Sequence, residues 1–435
     1  MRVHPTNPDI LYLTSSTGIH RSIDGGVTWT PVLTASGAKA TDLLLDKANP
    51  SRLIAALYHA SSSTSAGVYS SIDGGTSWNK LTGCSGGTLP TATADVNIRP
   101  AMSGSRIFAS FKTSSSWKLY RTNTVSCTIE GQTENQWELG WSTDADTAKA
   151  LWSGIYADPT NSAYVYATGT RFWASSNTGT TFTKMSGPHA DHHGFATDPV
   201  DPKIIYTACD GGIYRSPNRG ASDTWTFIGE GLTNVEFYDS VNAVTQSNLY
   251  IGGTQDNGTI QYDGSSTIWE HIRDGDGATV DIDPTDAGIL YSMHQYPSSL
   301  SHKKGTESWK CIGCGLPTGS TCFNFHFQVH PTTPSIMLAS CGTSLWRTTN
   351  PSCTTCPDTT SGAPLAWTTI LTLASGTGNV KRSASMATWT STTWVPARAS
   401  CKPGRRARAG SRSSPRPAPA LGTSRSIPSI QLLFM

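Results

Sequence analysis

No stretch of this chain is apolar and unbroken for the length a membrane helix needs, so a helical membrane span is excluded. No segment shows the pattern of a long amphipathic helix, which removes the helical fold classes. The opening MRVHPTNPDILYL has no apolar core of the kind a secretory leader carries. Charge is scarce: Asp, Glu, Lys and Arg together make up 14% of the 435 residues. Acidic residues stop altogether at Asp358, and from Lys381 onward there are ten basic residues and no acidic one. Of a net charge of +2, the first 380 residues therefore carry −8. A mildly acidic body does not suit a nucleic-acid partner, which needs a basic face.

What is abundant points one way. Gly (41), Trp (14) and many Ser and Thr residues suit short strands joined by frequent turns. The fold class expected is all-β. Ten cysteines suggest an oxidising, extracellular setting for the parent protein. Two CxxC pairs, Cys311 with Cys314 and Cys353 with Cys356, lie in turn-rich sequence near Cys322 and Cys341. Disulfides are expected there, with a zinc site as the alternative.

Two signatures recur. One is a proline-marked turn ahead of an apolar strand: HPTNPDILY (4–12), DKANPSRLI (46–54), DPTNSAYVY (158–166), DPVDPKIIY (198–206), DPTDAGILY (283–291) and HPTTPSIML (330–338). The other is SIDGGVTW (22–29) and SIDGGTSW (71–78), decaying to SSNTGTTF (175–182) and SPNRGASDTW (216–225). Adjacent copies are about 40–47 residues apart, the length of a four-stranded propeller blade. Residues 1–378 are thus expected to form a β-propeller of about seven four-stranded blades, with seven or eight units countable and the third and last poorly marked. The chain opens within a unit. The tail, 379–435, is Arg/Pro/Ser-rich, and it is expected to be disordered or translated out of frame.

In one unit GFATDP is the inner strand, IIYTACD the second and GIYRSPN the third, with TWTFIG outermost. That order puts the proline-marked turns and the SxDGG loops on one face. Asp24 and Asp73, and Asn177 and Asn218 in the decayed copies, are then turn-locking residues, with Trp29, Trp78, Phe182 and Trp225 packing between blades. The opposite face collects His189, Asp191, His192 and His193 from HADHH, Glu236 and Tyr238, Asp274 and Asp276, Asn324 and His326. The turns between second and third strands add Asp210, Gln255, Asp256, Asn257 and His294. Polar groups converging on a concavity are the default site.

His189, Asp191 and His193 alternate, so in an extended segment they would face one way and suit zinc or a similar ion; a hydrogen-bonded loop cluster is the simpler reading. DGDG (274–277) has part of a calcium loop. Asp210, Asp276 and Asp256 are the candidate catalytic carboxylates, because glycosidic hydrolysis needs two such groups about 5–5.5 Å apart for retention or about 6.5–9.5 Å for inversion. Asp-Gly turns that serve only themselves are the plainer alternative. Tyr214, Phe237, Tyr238, Trp269 and Tyr296 are aromatic candidates for stacking on sugar rings.

The SxDGGxTW words resemble the Asp-box, or BNR repeat, of the sialidase, xyloglucanase and sortilin-type propellers. HADHHGFATDPVDPKIIYTACDGGIYRS and GGTQDNGTIQYDG are similar to segments of bacterial secreted BNR-repeat glycosyl hydrolases. The resemblance implies a propeller and a secreted, carbohydrate-active protein acting on a polysaccharide or glycoconjugate. CDGGIYRS resembles a xyloglucanase segment that contains a catalytic Asp, which singles out Asp210. Sialidase chemistry is not implied: NIRP (97–100) follows two SxDGG words, and few arginines fall on the candidate face. The alternative is a non-catalytic propeller that binds glycans or proteins.

Overall fold

The computed structural model describes residues 1–59, 65–90, 97–129, 132–143, 147, 150–232, 235–265, 268–317, 325–349, 367–372 and 431–432. Every sheet but one small hairpin contains a four-stranded antiparallel meander whose strands pair in chain order, the arrangement of a propeller blade. Eight such blades are present among the described residues. The chain divides into two compact units, 1–229 and 230–435. The first holds the blades at 2–33, 38–81, 97–143, 154–185 and 192–227; the second holds those at 237–273, 280–311 and 326–372. Gln431–Leu432 adds a short parallel strand beside Ile268–Arg273. The proposed frame change near residue 380 lies outside the described residues, as does Asn324.

The first blade has all four strands, with the opening one only two residues long, Arg2–Val3. The third is the outlier that the repeat words marked poorly. Its outer hairpin, Trp117–Ile129 with Gln132–Thr143, stands where the other blades place an SxDGG loop.

One device closes all six proline-marked turns. The first residue's backbone N–H bonds the carbonyl six residues on, as in Asp158 to Tyr164 (3.0 Å) and His4 to Ile10 (3.0 Å). Its side chain accepts amides two and three residues on: Asp158 Oδ1 takes Thr160 (2.9 Å) and Asn161 (3.0 Å). His4 and His330 do the same through Nδ1, at 3.0–3.3 Å. An imidazole nitrogen can replace a carboxylate oxygen because the turn needs only a short-tethered acceptor.

The SxDGG loops close just as locally. Ser71 Oγ donates to Asp73 Oδ1 (2.8 Å) and accepts from Gly75 N (2.8 Å), while Asp73 accepts from the Ser77 amide at 2.9 and 3.0 Å and its hydroxyl at 2.6 Å. Asp24 repeats this with Thr28, and Asn177 Oδ1 takes the Thr181 amide at 3.0 Å. In the insertion copy Ser216 still accepts from Gly220 N (3.1 Å), but Asn218 offers only its backbone N–H. Trp29 and Trp78 donate Nε1–H to the carbonyls of Gly26 and Gly75 (3.0 and 3.2 Å), whereas Trp225 Nε1 is buried with no partner.

The same loops join neighbouring blades. Each bonds the proline-marked turn of its own blade, as in Gly74 N to Ser51 O (2.9 Å) and Thr178 N to Ala163 O (2.8 Å), so both features share one face. Those of blades two, four and five also contact the blade before them. Tyr12 Oη donates to Gly74 O (2.9 Å), and Arg121 reaches Thr180 Oγ1 (2.7 Å). Arg219 pairs with the fully buried Asp158 at 3.1 Å and lies 4.0 Å over the Tyr164 ring. Phe182 packs 6.1 Å from Trp117, and Trp225 packs 5.0 Å from Phe172. In the second unit Trp309 and Trp367 hold matching places, donating to Ile272 O (2.8 Å) and Ile312 O (2.7 Å); neither stands in a repeat word recognisable in the sequence.

The loop carboxylates bear on acid stability. Thr28 hydroxyl and amide, then the Ser22 hydroxyl, hold Asp24 at a pKa of about 2. Around Asp73 burial pushes upward, but the Ser77 and Ser71 donors outweigh it and hold the carboxyl at about 2. A depressed carboxylate stabilises fully above the ordinary value near 4 and loses that contribution as pH falls to 2. Asp73→Asn is expected to fold with little loss, since Asn177 already serves this role. Asp73→Ala is expected to cost about 1 kcal/mol after allowance for solvent exposure, read from urea unfolding at pH 7.

Candidate functional site

The two units each bring part of the predicted set together. In the first, the link into blade five carries PHADHHG and the turn after its second strand carries Asp210. His193 Nε2 meets Asp210 Oδ1 at 2.7 Å, and the His193 ring lies 5.0 Å from that of Trp152. The carboxylates of Asp191 and Asp210 come within 4.8 Å of one another. Gly211 follows Asp210 because His189 crosses it: a Cβ there would sit 2.4 Å from the Cβ of His189. His192 faces inward, fully buried, with Nδ1 against Thr207 Oγ1 at 2.8 Å.

Burial, then the neighbouring His189, Arg171 and His193, push the His192 pKa down to about 4. A histidine held neutral in this way stabilises fully above its ordinary value near 6.5 and loses that contribution as pH falls through 4. Acidification from pH 6.5 to 4 is therefore expected to remove on the order of 3 kcal/mol from the first unit. Thermal melts across that range, compared with His192→Gln, measure it; the variant's curve should be the flatter.

His189, Asp191 and His193 do not converge as a ligand set. The alternation that predicted it needs extended backbone throughout, and Asp191 has φ of +59°, which turns the chain in mid-segment. His189 instead sets Nδ1 against its neighbour's carbonyl, Ala190 O, at 3.2 Å. The first CxxC pair is likewise split, with Cys314 disulfide-bonded and Cys311 a free thiol, so it supplies neither its own disulfide nor two zinc ligands. Cys84 and Cys341 are also disulfide-bonded; Cys353 and Cys356 lie outside the described residues.

The second unit gathers more. Asp256 lies in the turn between Tyr250–Thr254 and Gly258–Tyr262, and Asp276 in the link to the next blade. Asp256 is the carboxylate neighbour that acts on Asp276, with Gln295 opposing it. Burial, then the hydrogen bond and charge of Asp256, push the Asp276 pKa above the ordinary carboxylate range. Tyr238 completes the group: burial, followed by the charges of Asp256, Glu236 and Asp276, raises its phenol. A carboxylate beside another is harder to ionise, so Asp276 keeps its proton to higher pH than a lone carboxyl does. Asp256 is held at φ +57°, a conformation that a non-glycine residue occupies at a cost.

Other predicted members go elsewhere. Asp274 is 99% exposed and faces His271 at 3.6 Å, so the two carboxylates of DGDG part company and make no calcium loop between them. Asn257 turns back on Gln255 O (3.0 Å), and the Gln255 amide bonds Glu236 O (2.9 Å), tying turn to link. His294 packs over Gly275, whose Cβ would lie 2.6 Å from Nδ1; burial, then Arg273, pushes its pKa down. His326 points Nδ1 at Thr279 Oγ1 (3.5 Å). Tyr296 is 44% exposed, and Phe237 stacks edge-on to Trp269 at 5.6 Å. Gln295 was missed in the sequence because nothing beside it repeats.

Among the described residues no helix is long and apolar enough to cross a membrane.

Solved structures similar to this one are propeller proteins. A GH74 enzyme from Niastella koreensis is 15% identical, with a TM-score of 0.42 over 80% of this chain and 67% of that one. The GH74 xyloglucanase from Xanthomonas campestris gives 15% and 0.42 over 80% and 62%. PorZ, a surface component of the type-IX secretion system of Porphyromonas gingivalis, gives 14% and 0.42 over 84% and 47%. No protein-family model matches the sequence, and no curated protein does. The fold is a β-propeller. At such identities the likeness bears on fold alone, and this chain spans about two-thirds of the first enzyme's length and less of the other two.

Proposed function

We propose that this chain is an extracellular, carbohydrate-active Asp-box propeller of the glycoside hydrolase type, xyloglucanase-like or a portion of such an enzyme. The observation that carries the reading is the raised pKa of Asp276, pushed up by burial and by Asp256 beside Tyr238, which we read as a proton shared by the two carboxyls. A carboxyl kept protonated above its ordinary range is the group a glycosidic oxygen requires as it leaves. Asp276 takes that role, and Asp256 retains the proton on it. Exposed Phe237, Tyr238 and Tyr296 offer ring faces to a sugar. Asp210, held by His193 and lying in CDGGIYRS, is the candidate carboxylate of the first unit. No metal is needed for these roles.

A second reading has its own support: Asp274 stands exposed beside His271 and Asn257 turns back on Gln255 O, so predicted site groups serve their own loops. On that reading the surface binds glycans or proteins without cleaving them. Incubation with a panel of plant polysaccharides, xyloglucan included, and an assay of new reducing ends separates the two. Release supports hydrolysis; retention on a polysaccharide gel without release supports binding alone.

A further inference from the structure

The first unit has a second concavity, toward the strand ends where Asp210 also lies. A shallow cleft with room for about one water-sized group opens between blades three and four. Asn97 and Arg99 enter it from the inner strand of blade three, and Ser110 and Lys112 from the strand paired with it. Trp152 and Ser153, on the link into blade four, close the other side.

The lining holds two cations and no carboxylate. Arg99 is fixed through Nη1 to Thr41 O at 2.7 Å. The acid whose charge it feels, Asp42, lies outside the lining and faces Arg2 at 3.5 Å. Lys112 pairs with no acidic side chain among the described residues, and burial alone pushes its pKa down. Arg99 Nε and Asn97 Oδ1 are buried without hydrogen-bond partners, a donor and an acceptor that native interiors rarely leave so. Lys112 is thus a half-buried cation without an acidic partner among the described residues, and an anion placed beside it relieves that cost. Trp152 is held by Nε1 on Thr170 Oγ1 (3.1 Å), and its ring also borders His193. So small a cleft can seat a charged group at its mouth but not a whole sugar ring or a length of chain.

We propose that this pocket binds the carboxylate of an acidic sugar residue, with Lys112 and Arg99 on the charge and Trp152 beside the ring. The proposal rests on the carbohydrate reading above and adds a preference for uronic acid over neutral sugar. It requires no cleavage.

Titration calorimetry on the full chain, with an oligogalacturonide, a neutral xyloglucan oligosaccharide and inorganic sulfate as separate ligands, tests it. The oligogalacturonide is expected to bind at least tenfold more tightly than either of the others, and less tightly as salt rises. Lys112→Gln, at a half-exposed position, is expected to weaken that binding about tenfold with an unchanged melting temperature. Trp152→Leu is expected to weaken oligogalacturonide more than sulfate. Equal affinity for the neutral oligosaccharide overturns the proposal while leaving the carbohydrate reading intact. Sulfate bound as tightly as uronate, or Lys112→Gln binding uronate as the native chain does, also overturns it. Failure of both oligosaccharides to bind overturns it together with the carbohydrate reading.

Discussion

Arg219→Met is expected to cost the first unit about 3–5 kcal/mol, the largest stability loss of any single change considered. The Asp158 side chain is wholly buried, and Arg219 meets it at 3.1 Å with only 17% of its own side chain exposed. Removing the cation leaves a carboxylate in a low-dielectric site with turn amides as its remaining partners. Asp158→Asn keeps an acceptor for those amides and should cost less. The double variant Asp158→Asn/Arg219→Met should lose less than the two single losses added, because it strands no charge. Urea midpoints of the four proteins at pH 7 measure this. A near-native midpoint for Arg219→Met alone would show that the pair is worth no more than a surface ion pair.

Asp276→Asn is expected to reduce the rate of sugar release by about 10²–10⁴-fold, the span of general acid catalysis, while binding stays within a few-fold of native. Asp256→Asn provides the control with a definite sign. The Asp256 charge raises the Asp276 pKa, so its removal should lower it and move the alkaline limb of the rate profile to lower pH. Reducing-end assays from pH 4 to 8 on the two variants and the native chain check both statements. An alkaline limb that does not move in Asp256→Asn would sink the shared-proton account, even with Asp276→Asn inactive.

The blades were legible in the sequence wherever their loops are closed by local hydrogen bonds. Ser71, Asp73 and Gly75 must recur at fixed spacing because each bonds another within four residues. The proline-marked turns are readable for the same reason, although the use of His4 and His330 as turn acceptors becomes evident only from their Nδ1 contacts. The third blade was obscure because its long outer hairpin takes the place of the loop that would have announced it.

Site geometry was harder to read. Alternation in HADHH implied three ligands on one side, and a single left-handed residue, Asp191, undid it. The effect of Asp256 on Asp276 links a strand turn to a blade link, so no spacing along the chain encodes it. Gln295, drawn to Asp276 from yet another turn, was hidden in the same way.

The inter-blade contacts of the first unit also impose a direction in time. Tyr12 waits for the loop carrying Gly74, Arg121 for the loop carrying Thr180, and Asp158 for Arg219. In each case the earlier blade supplies the partner and the later loop arrives to meet it. During synthesis from the N-terminus, every new blade of this unit emerges beside a finished docking edge, so growth at one end replaces a search among all blades at once. A circular permutant starting within blade four would have to complete its blades before those edges exist, and its refolding should slow even where its final stability does not change.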